Sequence, residues 1–548
     1  MLQTVYLKLR YNKVMNQQLK LLGALAVLIA VAGISLASSK TQGNACQTDA
    51  IQTGSGAVCG VKSADTLAYL GIPYAESTAG DKRWTTSVPK AAWTGVYPAT
   101  AFGKECPQNG ARVLEQSEDC LSLNIWTPAT RGGARLPVLV FIHGGAFVIG
   151  SSGGDLLPSD PKQAIYDGAY LAQSQKMVVV TINYRLGALG FLAGVAGLQG
   201  NYGLQDQQLA LEWVQRNIAA FGGDAAQVTI SGESAGASAV AVHLLSAPRS
   251  APLFKAAIMQ SNPIGLPVRN LSEAKRTGEY YQLAAGCFYG LRPLECLRSK
   301  PLEALLKAQA SRLIPLAVLE FGLYSLITWS PVVDGTVVTK APLASAASGG
   351  ITKPIIIGTN TNEGELFAGT AKIGRLVYRA ALGKLFSTAK LDSVIAQYPA
   401  IDGDNRSQIA QIATDYFFYC PNRFIALKST APVYHYDYAH VSKGLSIAPS
   451  NPLCAGKTCH GDELPFAFNT LGSSSVVGDA DRKVAKLMTD DWGGFVRSQM
   501  PVSANWKPFT AQGEASYSIA SDPRASAGDA KRCAFWDEFG YGRDGLKP

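Results

Sequence analysis

Short, mainly apolar runs recur along this chain, closed by turn formers and separated by amphipathic stretches. Leu136–Ile142 (LPVLVFI), Met177–Asn183 (MVVVTIN), Val228–Ile230, Lys255–Gln260 and Pro354–Ile357 have the length and composition of buried strands. Tyr434–His440 (YHYDYAH) alternates instead, and reads as a strand that packs its histidines. From Asp206 to Phe221 the pattern is helical, with Leu209, Trp213, Val214 and Ile218 on one face. Uniformly apolar strands separated by helices predict an α/β fold, a large, mostly parallel sheet covered by helices on both faces. In such sheets ligands bind beyond the carboxyl ends of the strands, so the chemistry belongs in the loops that follow them.

Composition changes that picture only at the N-terminus. The 548 residues are 47% hydrophobic and 16% charged, which is ordinary globular chemistry. No linker-like stretch or internal repeat divides the chain. A basic stretch ending at Lys20, an apolar run from Leu21 to Ala37 and a polar SSKTQGN form the order of a secretory signal. Residues 1–37 are therefore expected to be a cleaved signal peptide, with Met15 as an alternative start. Residues 38–548 are expected to be one secreted or periplasmic domain without membrane attachment. Four of the formal +9 charges lie in the first twenty residues, and the rest form no basic run, which argues against a nucleic-acid partner. Ten cysteines in an exported chain read as disulfides rather than metal ligands.

Two motifs carry chemistry. Gly232-Glu233-Ser234-Ala235-Gly236 fits G-x-S-x-G, with a strand before it and a small-residue helix after it. A serine hydroxyl is a weak nucleophile, and needs exposure on a sharp turn and a base to take its proton. Upstream, His143-Gly144-Gly145-Ala146-Phe147 follows a core strand. Its backbone N–H groups, with that of Ala235, suit an oxyanion hole.

Beyond these motifs the chain resembles the type-B carboxylesterase and cholinesterase-like family of α/β-hydrolases. The resemblance rests on LGIPYA (70–75), SEDCLSLNIWTP (117–128), FIHGGAF, NYRLGALGFL (183–192), GNYGLQDQQLALEWVQRNIAAFGGD (200–224), VTISGESAG, PVVDG (331–335), GTNTNEG (358–364) and CHGDELPFAF (459–468). It implies an α/β-hydrolase fold, a triad of Ser234, Glu363 and His460, and oxyanion donors at Gly145, Ala146 and Ala235. It also implies hydrolysis of small-molecule carboxylic esters through an acyl-enzyme, with no cofactor or metal. The order Ser, acid, His agrees. Among the other histidines, His143 is expected to brace the oxyanion loop, His243 to point away from the turn, and His435 and His440 to be packed. Asp334 reads as a turn residue, and Glu365 lies two positions off the motif. Glu233 is expected to be a buried, hydrogen-bonded structural carboxylate.

The resemblance further implies the disulfides Cys106–Cys120, Cys287–Cys296 and Cys420–Cys533. The remaining four cysteines allow three pairings, and short loops favour Cys46–Cys59 and Cys454–Cys459. The second pair would brace the loop carrying His460. Two departures from the family matter. Where cholinesterases carry a tryptophan ten residues before the second cysteine, this chain has Gly110, so that cation–π platform is missing. A general carboxylesterase is expected instead, ahead of a lipase, a lactonase, a feruloyl- or toxin-type esterase, or an inactive binding relative. The third oxyanion-loop glycine is replaced by Ala146, a methyl group expected to cost only room.

Overall fold

Apolar runs too short for helices pair into one eleven-stranded sheet. In chain order its strands are β1 (Val61–Lys62), β2 (Thr66–Pro73), β3 (Ser122–Pro128), β4 (Leu136–Ile142), β5 (Val178–Ile182), β6 (Gly223–Glu233), β7 (Ala256–Gln260), β8 (Ile355–Asn360), β9 (Val433–Tyr438), β10 (Ala515–Ile519) and β11 (Arg524–Ala527). Their spatial order is β1-β2-β3-β5-β4-β6-β7-β8-β9-β10-β11. The run from β5 to β10 is parallel throughout. Antiparallel pairs join β1, β2, β3 and β5 at one end and β10 to β11 at the other. This computed structural model describes residues 46–548, apart from 64, 111–113, 131–132, 134, 155, 158–159, 289–291, 312, 314–326, 473–475 and 543–544. The expected signal peptide and the alternative start fall outside the described residues.

Strand periodicity sorts the core onto the two faces of the sheet. Val138, Val140, Ile142, Val180, Ile230, Met259 and Ile357 face one core, while Leu139, Phe141, Val179, Ile258, Ile356 and Tyr436 face the other. Four helices supply much of the cover: α1 (Ala169–Gln175), α2 (Tyr202–Asn217), α3 (Ala235–Leu245) and α4 (Asp479–Ser498). Helices α2 and α3 bury Leu209, Trp213, Val214, Val240 and Val242 in the first core. Leu171 of α1 and Met488, Trp492 and Phe495 of α4 fill the second. No described helix is long and apolar enough to cross a membrane.

The boundaries differ from the sequence reading at two points. Helix α2 begins at Tyr202, four residues before Asp206, and gives way to a 3₁₀ turn over Ile218–Phe221. Asn201, just before it, has φ 60° and does not cap the helix with its side chain. Its amide instead pairs with the backbone of Val332, so a residue type that usually caps a helix with its side chain is engaged elsewhere. Strand β6 extends back to Gly223 through a mixed Gly-Asp-Ala-Ala-Gln stretch, with a register shift between Gly223 and Val228.

All ten cysteines are paired, as Cys46–Cys59, Cys106–Cys120, Cys287–Cys296, Cys420–Cys533 and Cys454–Cys459.

Candidate active site

Ser234 sits in the turn between β6 and α3, with φ 56° and ψ −122°. That conformation is rare for a residue with a side chain, and sites that hold it are commonly functional. The turn is tight enough to dictate its neighbours. A Cβ on Gly236 would lie 2.0 Å from the carbonyl oxygen of Ile142, and one on Gly144 would lie 3.1 Å from the Ser234 Cβ. The His143–Phe147 loop is thus pressed against the Ser234 turn. Ser234 N–H donates to the Gln260 carbonyl, tying the turn to the end of β7.

The loop itself bends through three consecutive positive φ angles, 98° at Gly145, 54° at Ala146 and 60° at Phe147. Ala146 therefore brings backbone strain as well as bulk, a cost on the order of 1 kcal/mol or more that the sequence reading left out. The N–H groups of Gly145, Ala146 and Ala235 donate to no described residue. Ala235 opens α3, where the helix dipole adds partial positive charge. His143 braces this loop. Its Nδ1–H donates to the Gly144 carbonyl, its ring stacks on Tyr184, and the Tyr184 hydroxyl donates to the His143 carbonyl.

Glu363 opens a 3₁₀ turn directly beyond the end of β8. Its Oε1 accepts from the Asn360 N–H, and its Oε2 lies 2.5 Å from Nδ1 of His460. Both side chains are buried. Nε2 of His460 has no hydrogen-bond partner. Glu233 Oε1 approaches that nitrogen to 3.1 Å but off its hydrogen-bonding direction. Glu233 is therefore buried as expected, yet its Oε1 makes no hydrogen bond. Burial pushes the Glu233 carboxyl up to about 8. Burial also pulls the His460 ring down, but the Glu233 and Glu363 carboxylates outweigh it and hold the ring above its ordinary value.

The rival residues go elsewhere. His243 is fully buried between Gln207 and Ser250, and burial lowers it to about 3. His435 bonds Ser516, and His440 bonds Asp481. Asp334 accepts from the N–H groups of Thr336, Val337 and Val338, closing a turn. Glu365 pairs with Lys457 at 2.8 Å.

Three neighbours escaped the sequence reading. Glu463 accepts from the side chains of Gln260 and Asn360, and burial raises it to about 7. Phe367 and Phe418 stack in parallel 6.0 Å apart and flank the His460 ring at 5.0 and 5.2 Å. Phe418 lies on a π-helical turn, Thr414–Tyr419, a device often found at functional sites. Its surrounding TDYFFYC resembles ordinary core sequence. One turn along α3 from Ser234 begins an apolar cavity of about 220 Å³, lined by Phe147, Ser238, Val242, Ile264 and Val268 among others. No cluster of three or more His, Cys, Asp or Glu among the described residues could hold a metal ion.

The sheet order, the strained serine after β6 and the acid turn after β8 define an α/β-hydrolase. Similarity to known proteins narrows the class. Residues 47–536 match the model of the carboxylesterase family, and the chain belongs to that family. It is 35% identical over 499 residues to a fumonisin B1 esterase of Sphingopyxis macrogoltabida, covering 84% of this chain and 85% of that one. Identity to an acetylcholinesterase of Danio rerio is 34%, over 78% of this chain and 70% of that one. A solved PNB esterase superimposes with a TM-score of 0.77 at 30% identity, covering 89% of this chain and 99% of that one. The chain is a carboxylic ester hydrolase.

Proposed function

We propose that the protein is an exported serine carboxylesterase in which Ser234, Glu363 and His460 form the catalytic triad. The observation that carries this reading is the 2.5 Å contact between Glu363 Oε2 and His460 Nδ1, which fixes the imidazole with Nε2 unpartnered. Nε2 takes the proton from Ser234 Oγ as that oxygen attacks the ester carbonyl carbon. Catalytic hydrogen bonds of this kind are often long in enzymes without substrate and tighten in the substrate complex. The N–H groups of Gly145, Ala146 and Ala235 receive the developing oxyanion. Collapse of the tetrahedral intermediate breaks the bond to the leaving alcohol, which departs with the proton returned by His460. Water then attacks the acyl-enzyme by the same route and releases the carboxylic acid. Glu363 orients the ring and stabilises its imidazolium form.

The apolar cavity beside Ser238 and Phe147 suits the acyl group, which favours esters of uncharged, hydrophobic acids. Five disulfides fit an oxidising compartment, and residues 1–37 supply the export signal, leaving residues 38–548 as a single catalytic domain. The test is hydrolysis of p-nitrophenyl esters by the purified protein, its Ser234→Ala variant and phosphonate-treated parent. A loss of about a millionfold in kcat for the variant, with phosphonate attached at Ser234, is the expected result. Turnover undiminished by Ser234→Ala would overturn the reading.

A further inference from the structure

The proposed base hangs on an irregular connection of the sheet. From the end of β9 at Tyr438 to the short helix Leu464–Phe468, the chain forms neither helix nor named strand. A general base must nevertheless keep its place to a fraction of an ångström, and loops without secondary structure are the segments that open most easily. Something in this loop has to replace the missing ladder of backbone bonds.

The residues just before His460 supply it. The Asn362 N–H donates to the Thr458 carbonyl, and Asn360 Nδ2 donates to the Cys459 carbonyl at 2.7 Å. Lys457 Nζ reaches Glu365 at 2.8 Å, and Asn451 Nδ2 donates to the Glu365 carbonyl. Four residues of the base loop are thus tied to the end of β8 and the turn that carries Glu363. Between these ties lies the Cys454–Cys459 disulfide, buried at both ends, with Cys459 directly preceding His460. It joins the Asn451 end of the loop to the Thr458 end, so neither can shift alone.

The size of the ring it closes says what this disulfide is for. A cross-link stabilises a fold chiefly through the loop it closes in the unfolded chain, and the gain grows with loop length. Sequence separations of the five bridges are 13, 14, 9, 113 and 5 residues, and Cys454–Cys459 is the shortest. It has the least to offer global stability and sits nearest the proposed base.

We propose that the Cys454–Cys459 disulfide, together with the Lys457–Glu365 ion pair, is a positioning element that sets His460 against Glu363 and contributes little to the stability of the fold. This rests on the triad reading above. It adds that catalysis depends on the redox state of a bridge that touches no reacting atom.

The experiment compares the full-length parent with C454A/C459A, with C287A/C296A as a bridge remote from the loop, and with Lys457→Gln and Lys457→Arg. In C454A/C459A, kcat is expected to fall about ten- to a hundredfold, with KM within about twofold and a Tm no lower than that of C287A/C296A. Lys457→Gln should lower kcat by a smaller factor, and Lys457→Arg should restore it. Parental kcat in C454A/C459A would overturn the proposal. So would failure of that variant to fold, since the bridge would then be holding the structure. Lys457→Gln does not depend on that outcome, and parental kcat there would remove the ion pair from the proposal. The Ser234→Ala control separates the two readings. If the parent shows no Ser234-dependent turnover, the triad reading has failed and the brace falls with it. If that turnover is present, an unchanged C454A/C459A refutes the brace alone.

Discussion

The two halves of the candidate site are built in different ways. On the nucleophile side, Ser234, Gly144, Gly145 and Ala146 are placed by backbone: a strand end, a helix start and close approaches that admit only hydrogen at Gly236 and Gly144. On the proposed acid–base side, Glu363 and His460 stand in turns and are placed largely through side chains: Asn360, Asp462, Lys457 and a disulfide. A backbone-built half resists small chemical changes and fails when space is lost. A side-chain-built half keeps its fold under substitution and fails electrostatically. Substitutions in the two halves should therefore separate stability from chemistry.

The largest expected effect is on the side-chain half. Glu363→Gln keeps the size of the group and its place beside Asn360, but removes the charge that orients His460 and stabilises its imidazolium form. A loss of about ten-thousandfold in kcat is expected, with the melting temperature shifted by a few degrees at most. Steady-state kinetics beside a thermal melt checks both. A variant that lost stability in proportion to activity would erase the contrast between the halves.

Gly236→Ala probes the backbone half and should reverse that signature. The added Cβ would lie 2.0 Å from the Ile142 carbonyl oxygen and 2.8 Å from that of His143, two backbone atoms at the end of β4. Nothing there can rotate away, so β4 and α3 must separate. A stability loss of about 3 kcal/mol is expected, read from denaturant unfolding, with activity lost alongside it. Normal stability with lost activity would mean that the turn absorbs the strain locally.

The same division explains what the sequence could disclose. Backbone demands leave local marks: a glycine on either side of Ser234, paired glycines after His143, and apolar runs such as LPVLVFI that become central strands. Those were legible from residue type and spacing alone. Glu363 and His460 have no such marks, because one carboxylate and one imidazole in two irregular loops fit many roles. They emerged only through family resemblance. Phe418 was invisible because a π-helical turn rather than a helical repeat aims it at His460. Glu463 was invisible because its partners Gln260 and Asn360 come from other strands. The strain at Ala146 was missed because its φ is set by the fold of the loop and not by its composition.

Glu233 belongs to both halves, since it sits in the backbone-built turn and acts on the side-chain-built base. Its carboxyl is raised to about 8 by burial, and it faces an imidazole whose own proton is held by two carboxylates. The two titrations are therefore coupled, and the ionisations belong to both groups together. The sign of the coupling is nonetheless fixed. A negative charge at Glu233 stabilises the imidazolium form of His460, and that form cannot accept the Ser234 proton. Glu233→Gln removes this charge at every pH, so His460 gives up its proton more readily and the acid limb of kcat/KM moves to lower pH. A displacement of about one pH unit corresponds to roughly 1.4 kcal/mol, the smallest of these effects. It is read from pH–rate profiles of the two proteins between pH 5 and 9. Superimposed profiles would mean that Glu233 stays neutral whenever the base works. The nucleophile half would then contribute geometry alone, and the electrostatics of His460 would rest on Glu363.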